Sequence, residues 1–131
     1  DDLGVKKDVS SFVIPVGATI NMDGTAIMQG LATMFIASTA GVDLSMIEYM
    51  QIVLLAMVAS IGAAAVPSAG TITLALILSS LGLPLDAIGL ILAVDRILDM
   101  IRTSVNVTGD SAVACIVANS ENLLDREVFN K

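Results

Sequence analysis

Asp95, Asp99, Arg102, Asn106 and Asp110 follow one another at steps of four, three, four and four. At ~100° per residue of α-helix, all five project within a sector of roughly 80°. One helix face then holds three carboxylates, one guanidinium and one amide. Carboxylate and amide oxygens suit hard cations, and a guanidinium receives a carboxylate through two parallel hydrogen bonds. Three acids against one arginine lack compensating charge, and cations or a charged substrate would supply it. The plainer alternative is a water-exposed face laced by i,i+4 pairs, each worth only tenths of a kcal/mol. It fits poorly, because the other faces carry Ile91, Leu92, Ile97, Leu98, Ile101, Val105, Val107, Val113 and Ile116. A narrow polar stripe on an apolar rod reverses the pattern of a soluble amphipathic helix and marks a site inside a membrane segment.

Several chemistries are closed by absence. The chain has no His, so imidazole catalysis and His-ligated metals are excluded, and the lone Cys115 reads as a small apolar residue. A net charge of −7 and 3% aromatic residues disfavour a nucleic-acid partner. Asn106-Val107-Thr108 matches a glycosylation acceptor but falls inside the stripe. The spacing of Thr19, Asn21, Asp23 and Gly24 imitates a calcium loop but lacks the first acid and has Gly30 at the twelfth position. Gly109-Asp110 within a hydrophobic block leaves one enzymatic alternative, an intramembrane aspartyl protease with Asp23 and Asp110 as its acid pair. Asp95, Asp99 and Arg102 have no evident use in such an enzyme, and a non-enzyme is the expected reading.

The elements that must position the stripe are apolar. Of 131 residues, 56% are hydrophobic and 15% charged, mean hydropathy is +0.90, and residues 49–85 carry no charge at all. That composition predicts an all-α membrane protein. Residues 9–42 are too long for one untilted span, and Asn21-Met22-Asp23-Gly24-Thr25 supplies a break, since Asn, Asp and Gly offer the backbone alternatives to helix. The second block divides near Val66-Pro67-Ser68-Ala69-Gly70 into two arms, each short for a full crossing, as in a re-entrant hairpin, with one long Pro-kinked helix as the alternative. Leu81-Gly82-Leu83-Pro84 is a helix stop. The expected order is a broken transmembrane helix over 1–42, a re-entrant helical hairpin over 49–82, a polar-striped transmembrane helix over 84–123 and a tail over 124–131. Lys6, Lys7, Arg126 and Lys131 flank the ends, whereas the two connections carry acids and no bases. The positive-inside rule places both ends in the cytoplasm of a multi-pass cell-membrane protein. Asp1-Asp2 begins no signal peptide, and the chain has the character of a fragment.

Three segments in order, Asn21 to Thr25, Gly62 to Gly70 and Asp95 to Asp110, closely resemble the glutamate/aspartate:sodium symporters, the dicarboxylate/amino acid:cation family. The resemblance implies the carboxy-terminal part of a transport domain, with the rest of the full-length chain, the scaffold of a homotrimer included, missing. It implies secondary-active symport of acidic amino acids, aspartate or glutamate, with Na+, by alternating access with the hairpin as gate. A proton-coupled glutamate or C4-dicarboxylate carrier is the alternative. Arg102 would pair with the substrate side-chain carboxylate and Asp99 with its amino group. Asn106, Thr25 and Thr103 would contact it too, and the hairpin tip, with Val66 and Gly70, would meet its α-carboxylate. Sodium sites are implied at Asp110 with carbonyls of Gly17, Asn21 and Asn106; at carbonyls around Thr19, Ser60 and Ile61 with the Met22 sulfur; and at Asn21 with Asp23. Met100, where animal members carry arginine, is a prokaryotic pattern. Arg96 has no role that the family assigns; a cytoplasm-facing or an intra-domain ion pair is open to it, with Asp95 a near neighbour.

Overall fold

The computed structural model describes residues 3–62 and 69–130, and these form seven α-helices and no strand beyond one isolated bridge. Helix α1 (Lys7–Ile20) and helix α2 (Asp23–Thr39) meet at the expected break. The break is narrower than the pentapeptide suggests. Only Asn21 and Met22 leave the helical region, at φ −106°, ψ 70° and φ −107°, ψ 59°, while Asp23, Gly24 and Thr25 already form the first turn of α2. An acid at that position suits the positive end of the helix dipole.

Helices α3 (Met46–Gly62) and α4 (Ala69–Ser80) pack on each other and both pack on α2. Leu44, just before α3, and Leu81 and Leu83, just after α4, join one core cluster with Met28, Ile36, Leu74, Leu78 and Ile91. The two arms therefore start and finish beside the same cluster and pack on each other, an arrangement in keeping with a hairpin. The segment joining them, residues 63–68, lies outside the described residues.

The stretch 84–123, expected to be one helix, is three pieces: a 3-10 turn at Leu85–Ala87, α5 (Ile88–Leu92) and α6 (Asp95–Ser120). Val94, at φ −116° and ψ 3°, separates α5 from α6. No Pro or Gly stands at this break, and its Ala93-Val94 sequence carries no stop signal. A short helix α7 (Arg126–Phe129) closes the chain, capped by the Asp125 carboxylate, which accepts from the N–H groups of Glu127 and Val128.

Three helix ends share one device. After α2, α4 and α6 the chain passes through a left-handed residue, Gly41, Gly82 and Asn122, at φ 68°, 67° and 57°. The next N–H then reaches back to a late carbonyl of the helix: Val42 to Ala37 at 2.9 Å, Leu83 to Leu78 at 2.9 Å and Leu123 to Ala118 at 2.7 Å. Beyond the last of these, Val5 bridges Leu124 in antiparallel fashion. The N–H of Lys6 donates to Leu123 O, and that of Asp125 to Gly4 O. Val5, Val9 and Ala118 bury a small second core there, against which Cys115 packs as the small apolar residue expected.

No helix among the described residues is long and apolar enough to cross a membrane by itself. The cause is local. Helices α1 and α2, at 14 and 17 residues, reach roughly 21 and 26 Å at ~1.5 Å per residue, short of a ~30 Å hydrocarbon layer. Helix α6, at 26 residues, is long enough, but Asp95, Arg96, Asp99, Arg102 and Asp110 lower its hydropathy.

Candidate functional site

The break between α1 and α2 lies directly on the polar stripe of α6. The Asn21 amide donates from Nδ2 to Asp110 Oδ1 at 3.0 Å. One turn back along α6, Asn106 holds the start of α2. Its Oδ1 accepts the Gly24 N–H at 2.8 Å, and its Nδ2 donates to Thr25 Oγ1 at 3.3 Å. The first N–H groups of any helix lack intrahelical partners, so Asn106 acts as a cap supplied from another helix. Asp110 and Thr25 are buried, at 5% and 3% exposure.

Arg102 and Asp99 form an ion pair one turn apart on α6, the one salt bridge among the described residues. Their side chains differ in burial, with 13% of Arg102 and 45% of Asp99 exposed. The guanidinium lies against the backbone of Gly70 at the start of α4, where a Cβ would collide with Nη1. Gly17 meets the Asp110 carboxylate in the same way, and a Cβ on Gly24 would stand 2.5 Å from Arg102 O. Three helices thus approach α6 through glycines, and each approach faces Arg102 or Asp110.

The model of the sodium:dicarboxylate symporter family matches residues 1–120. The chain belongs to that family. Among its relatives, an excitatory amino acid transporter of Onchocerca volvulus is 54% identical over 89% of this chain and 24% of its own length. Excitatory amino acid transporter 2 of Mus musculus is 55% identical over 89% of the chain and 20% of its own length. Excitatory amino acid transporter 1 of Rattus norvegicus is 50% identical over 98% and 23%. The chain spans about a quarter or less of the length of these relatives.

Of the residues that the family resemblance singles out, Arg102, Asp99, Asn106, Thr25 and Gly70 gather around the middle of α6. Asp110, Asn21 and Gly17 gather one turn further on, and Asp23 reaches the same turn beside Gly109. The third group stands apart in chemistry. Met22 and Ser60 are buried, but Thr19 and Ile61 are exposed. The hydroxyls of Thr19 and Ser60 donate their hydrogens to their own helices, at Val16 O and Met57 O, 2.8 Å each, which leaves the oxygen lone pairs available to a cation. Thr103 is exposed, and Val66 lies outside the described residues. An ion pair between Arg96 and Asp95 is not formed, since adjacent helix positions point in different directions and Arg96 is exposed.

Sequence reasoning missed one polar link. Gln29 of α2, wholly buried, donates from Nε2 to Thr73 Oγ1 of α4, and its Oε1 has no partner among the described residues. A glutamine amid a helix of apolar and small residues is the signal that could have found it.

Proposed function

We propose that the full protein carrying this chain moves acidic amino acids or dicarboxylates across the cell membrane together with Na+, by alternating access. The observation that supports it is the meeting of the helix break with the acidic stripe. Asn21, Gly24 and Thr25 are tied to Asp110 and Asn106 beside a partly buried Arg102–Asp99 pair. A zwitterionic substrate can divide that pair, its carboxylate taking the guanidinium and its ammonium taking Asp99. The oxygen donors at Asp110, Asn21, Asn106 and Asp23 suit Na+, a hard cation. Charge balance demands one. Asp95, Asp99 and Asp110 face only Arg102 on the stripe, and an acidic substrate adds a further negative charge, whose uncompensated burial would cost several kcal/mol.

The hairpin of α3 and α4 is the proposed gate, because Gly70 brings α4 onto Arg102. Membrane crossing by α1 and α2 in series, and by α6, is supported by the apolar residues left exposed on every long helix, among them Phe12, Ile27, Val58, Ile72 and Met100. The bridge of Val5 with Leu124 holds the two ends of the chain together, in keeping with a common cytoplasmic side. A homotrimer for the full protein rests on the family resemblance alone. The protease reading has less support, because Asp110 Oδ1 accepts from the Asn21 amide and the relatives named are transporters.

The test is uptake of radiolabelled aspartate, glutamate and succinate by the full protein in proteoliposomes, with Na+ replaced by choline at fixed pH. Uptake should collapse without sodium. Uptake unchanged in choline but driven by a pH gradient would replace the sodium reading with the proton-coupled one.

A further inference from the structure

Gly109 stands well inside the 26-residue helix α6, immediately before Asp110. Glycine is a poor helix-interior residue, so one inside a long regular helix directs attention to what it packs against. Its neighbours here lie across the helix interface. A Cβ built on Gly109 would stand 3.1 Å from Asn21 Nδ2 and 3.4 Å from Asp23 Oδ2. Both atoms belong to polar side chains of the break between α1 and α2, and the same Asn21 Nδ2 donates to Asp110 Oδ1 at 3.0 Å. Gly17 meets the Asp110 carboxylate from α1, but Gly109 is the glycine of α6 itself at this contact, and not every helix glycine has such a neighbour. Around Gly30 of α2 and Gly89 of α5, a Cβ would find no atom within 4 Å.

We propose that Gly109 is a positioning residue for the cation site. Its missing side chain sets how closely Asn21 and Asp23 approach Asp110, and so the fit of their oxygens around the ion. The inference rests on the sodium-coupled reading above and adds to it a residue that binds nothing itself. A methyl group at 109 is small enough to leave α6 helical, yet at 3.1 Å it must displace the Asn21 amide by a few tenths of an ångström. Mutations of the groups that surround and orient metal ligands typically weaken ion affinity by ~10- to 100-fold. The effect should fall on the ion and leave Arg102 and Asp99, two and more turns away, in place.

The experiment titrates Na+ in the full protein, reconstituted in proteoliposomes, for the wild type and Gly109→Ala. The variant should need about tenfold more Na+ for half-maximal uptake, while at saturating Na+ its substrate KM stays within about twofold of wild type. In detergent, thermal unfolding should show a sodium-dependent gain in Tm for the wild type that the variant reaches only at correspondingly higher Na+. Asn21→Ser, which shortens the side chain that the methyl meets, supplies the coupling test. Gly109→Ala added to Asn21→Ser should raise the sodium requirement by much less than it does alone. If Gly109→Ala yields no folded protein, Asn21→Ser in the same chain opens the space and should restore it. An unchanged sodium requirement in Gly109→Ala, full additivity with Asn21→Ser, or no restoration of folding would each overturn the inference. A wild type indifferent to sodium would instead defeat the coupling reading on which it stands.

Discussion

In the proposed function the Arg102–Asp99 pair would divide the two ends of a substrate between two side chains, which makes their roles separable. Arg102→Cys in the full protein removes the only base on the stripe and leaves the substrate carboxylate unpaired. Breaking a buried charge pair costs about 3 kcal/mol or more, which is two decades in affinity, so uptake of aspartate and succinate should both fall at least that far. Asp99→Ser should spare succinate, which has no amine, and weaken aspartate. Equal losses for the two ligands would show that Asp99 does not hold the ammonium. Asp110→Asn keeps an oxygen that can accept from Asn21 but removes the charge. Its expected signature is a sodium requirement raised about tenfold, with aspartate binding recovered at high sodium, because ion and substrate shift each other's affinity by the same factor. A lower maximal rate with an unaltered sodium curve would remove Asp110 from the ion site. Much of this site was legible in the sequence, because helical spacing alone aligns Asp95, Asp99, Arg102, Asn106 and Asp110. Spacing did not give the partners. The family resemblance set Gly17 and Asn21 beside Asp110, whereas the contacts of Gly24 and Gly70 with Arg102 emerged only from packing.

At the scale of elements, stops written in local chemistry were readable and those imposed by packing were not. Gly82 ends α4 because a left-handed residue lets Leu83 reach back to Leu78, and Asn21 breaks the first block as its residue type suggests. The break at Val94 has no such signature, and neither has the bridge of Val5 with Leu124, which joins segments distant in the chain. The start of α3 shows a device that local sequence does encode. Ser45 and Glu48 form a reciprocal cap in which the Ser45 N–H and hydroxyl both donate to Glu48 Oε2 at 2.7 Å, and the Glu48 N–H donates to Ser45 Oγ at 3.4 Å. The hydrogen bonds from the Ser45 side chain and backbone hold the Glu48 carboxyl below its ordinary value. Its folded value lies under its unfolded one, so its contribution is complete above the ordinary glutamate range and is lost as pH falls through the folded value. Amide exchange at the first turn of α3 should therefore quicken, relative to its intrinsic rate, at the acid end of a titration. Glu48→Gln, which can still cap, should abolish that pH dependence and keep the turn ordered at neutral pH. Identical profiles for the two proteins would show that Glu48 does not hold the helix start.

For the whole molecule, the features that disqualify each helix as a simple span are the ones that build the site. The break at Asn21 and Met22 shortens α1 and α2, and the charges of α6 lower its hydropathy; these same residues meet at Asp110 and Asn106. A chain organised in this way cannot present an ordinary surface to water. Phe12 on α1 is 70% exposed, Val58 on α3 65%, Leu76 on α4 65% and Ile116 on α6 67%, so apolar area faces outward on all sides of the bundle. Soluble monomers seldom expose contiguous apolar patches beyond a few hundred Å². The relatives, four to five times longer than the matched segment, have chain enough to cover part of that surface, and lipid would cover more. The isolated 131-residue chain should consequently self-associate in buffer and become monodisperse with its helical content retained in detergent. Reconstituted alone in proteoliposomes, it should show no sodium-driven uptake, since it carries under a quarter of the length of those transporters. Analytical ultracentrifugation with and without detergent, read beside circular dichroism, decides the first point. A monodisperse, helical, water-soluble monomer would overturn the membrane assignment, because its exposed isoleucines, valines and phenylalanine would then be stable against water with nothing to bury them.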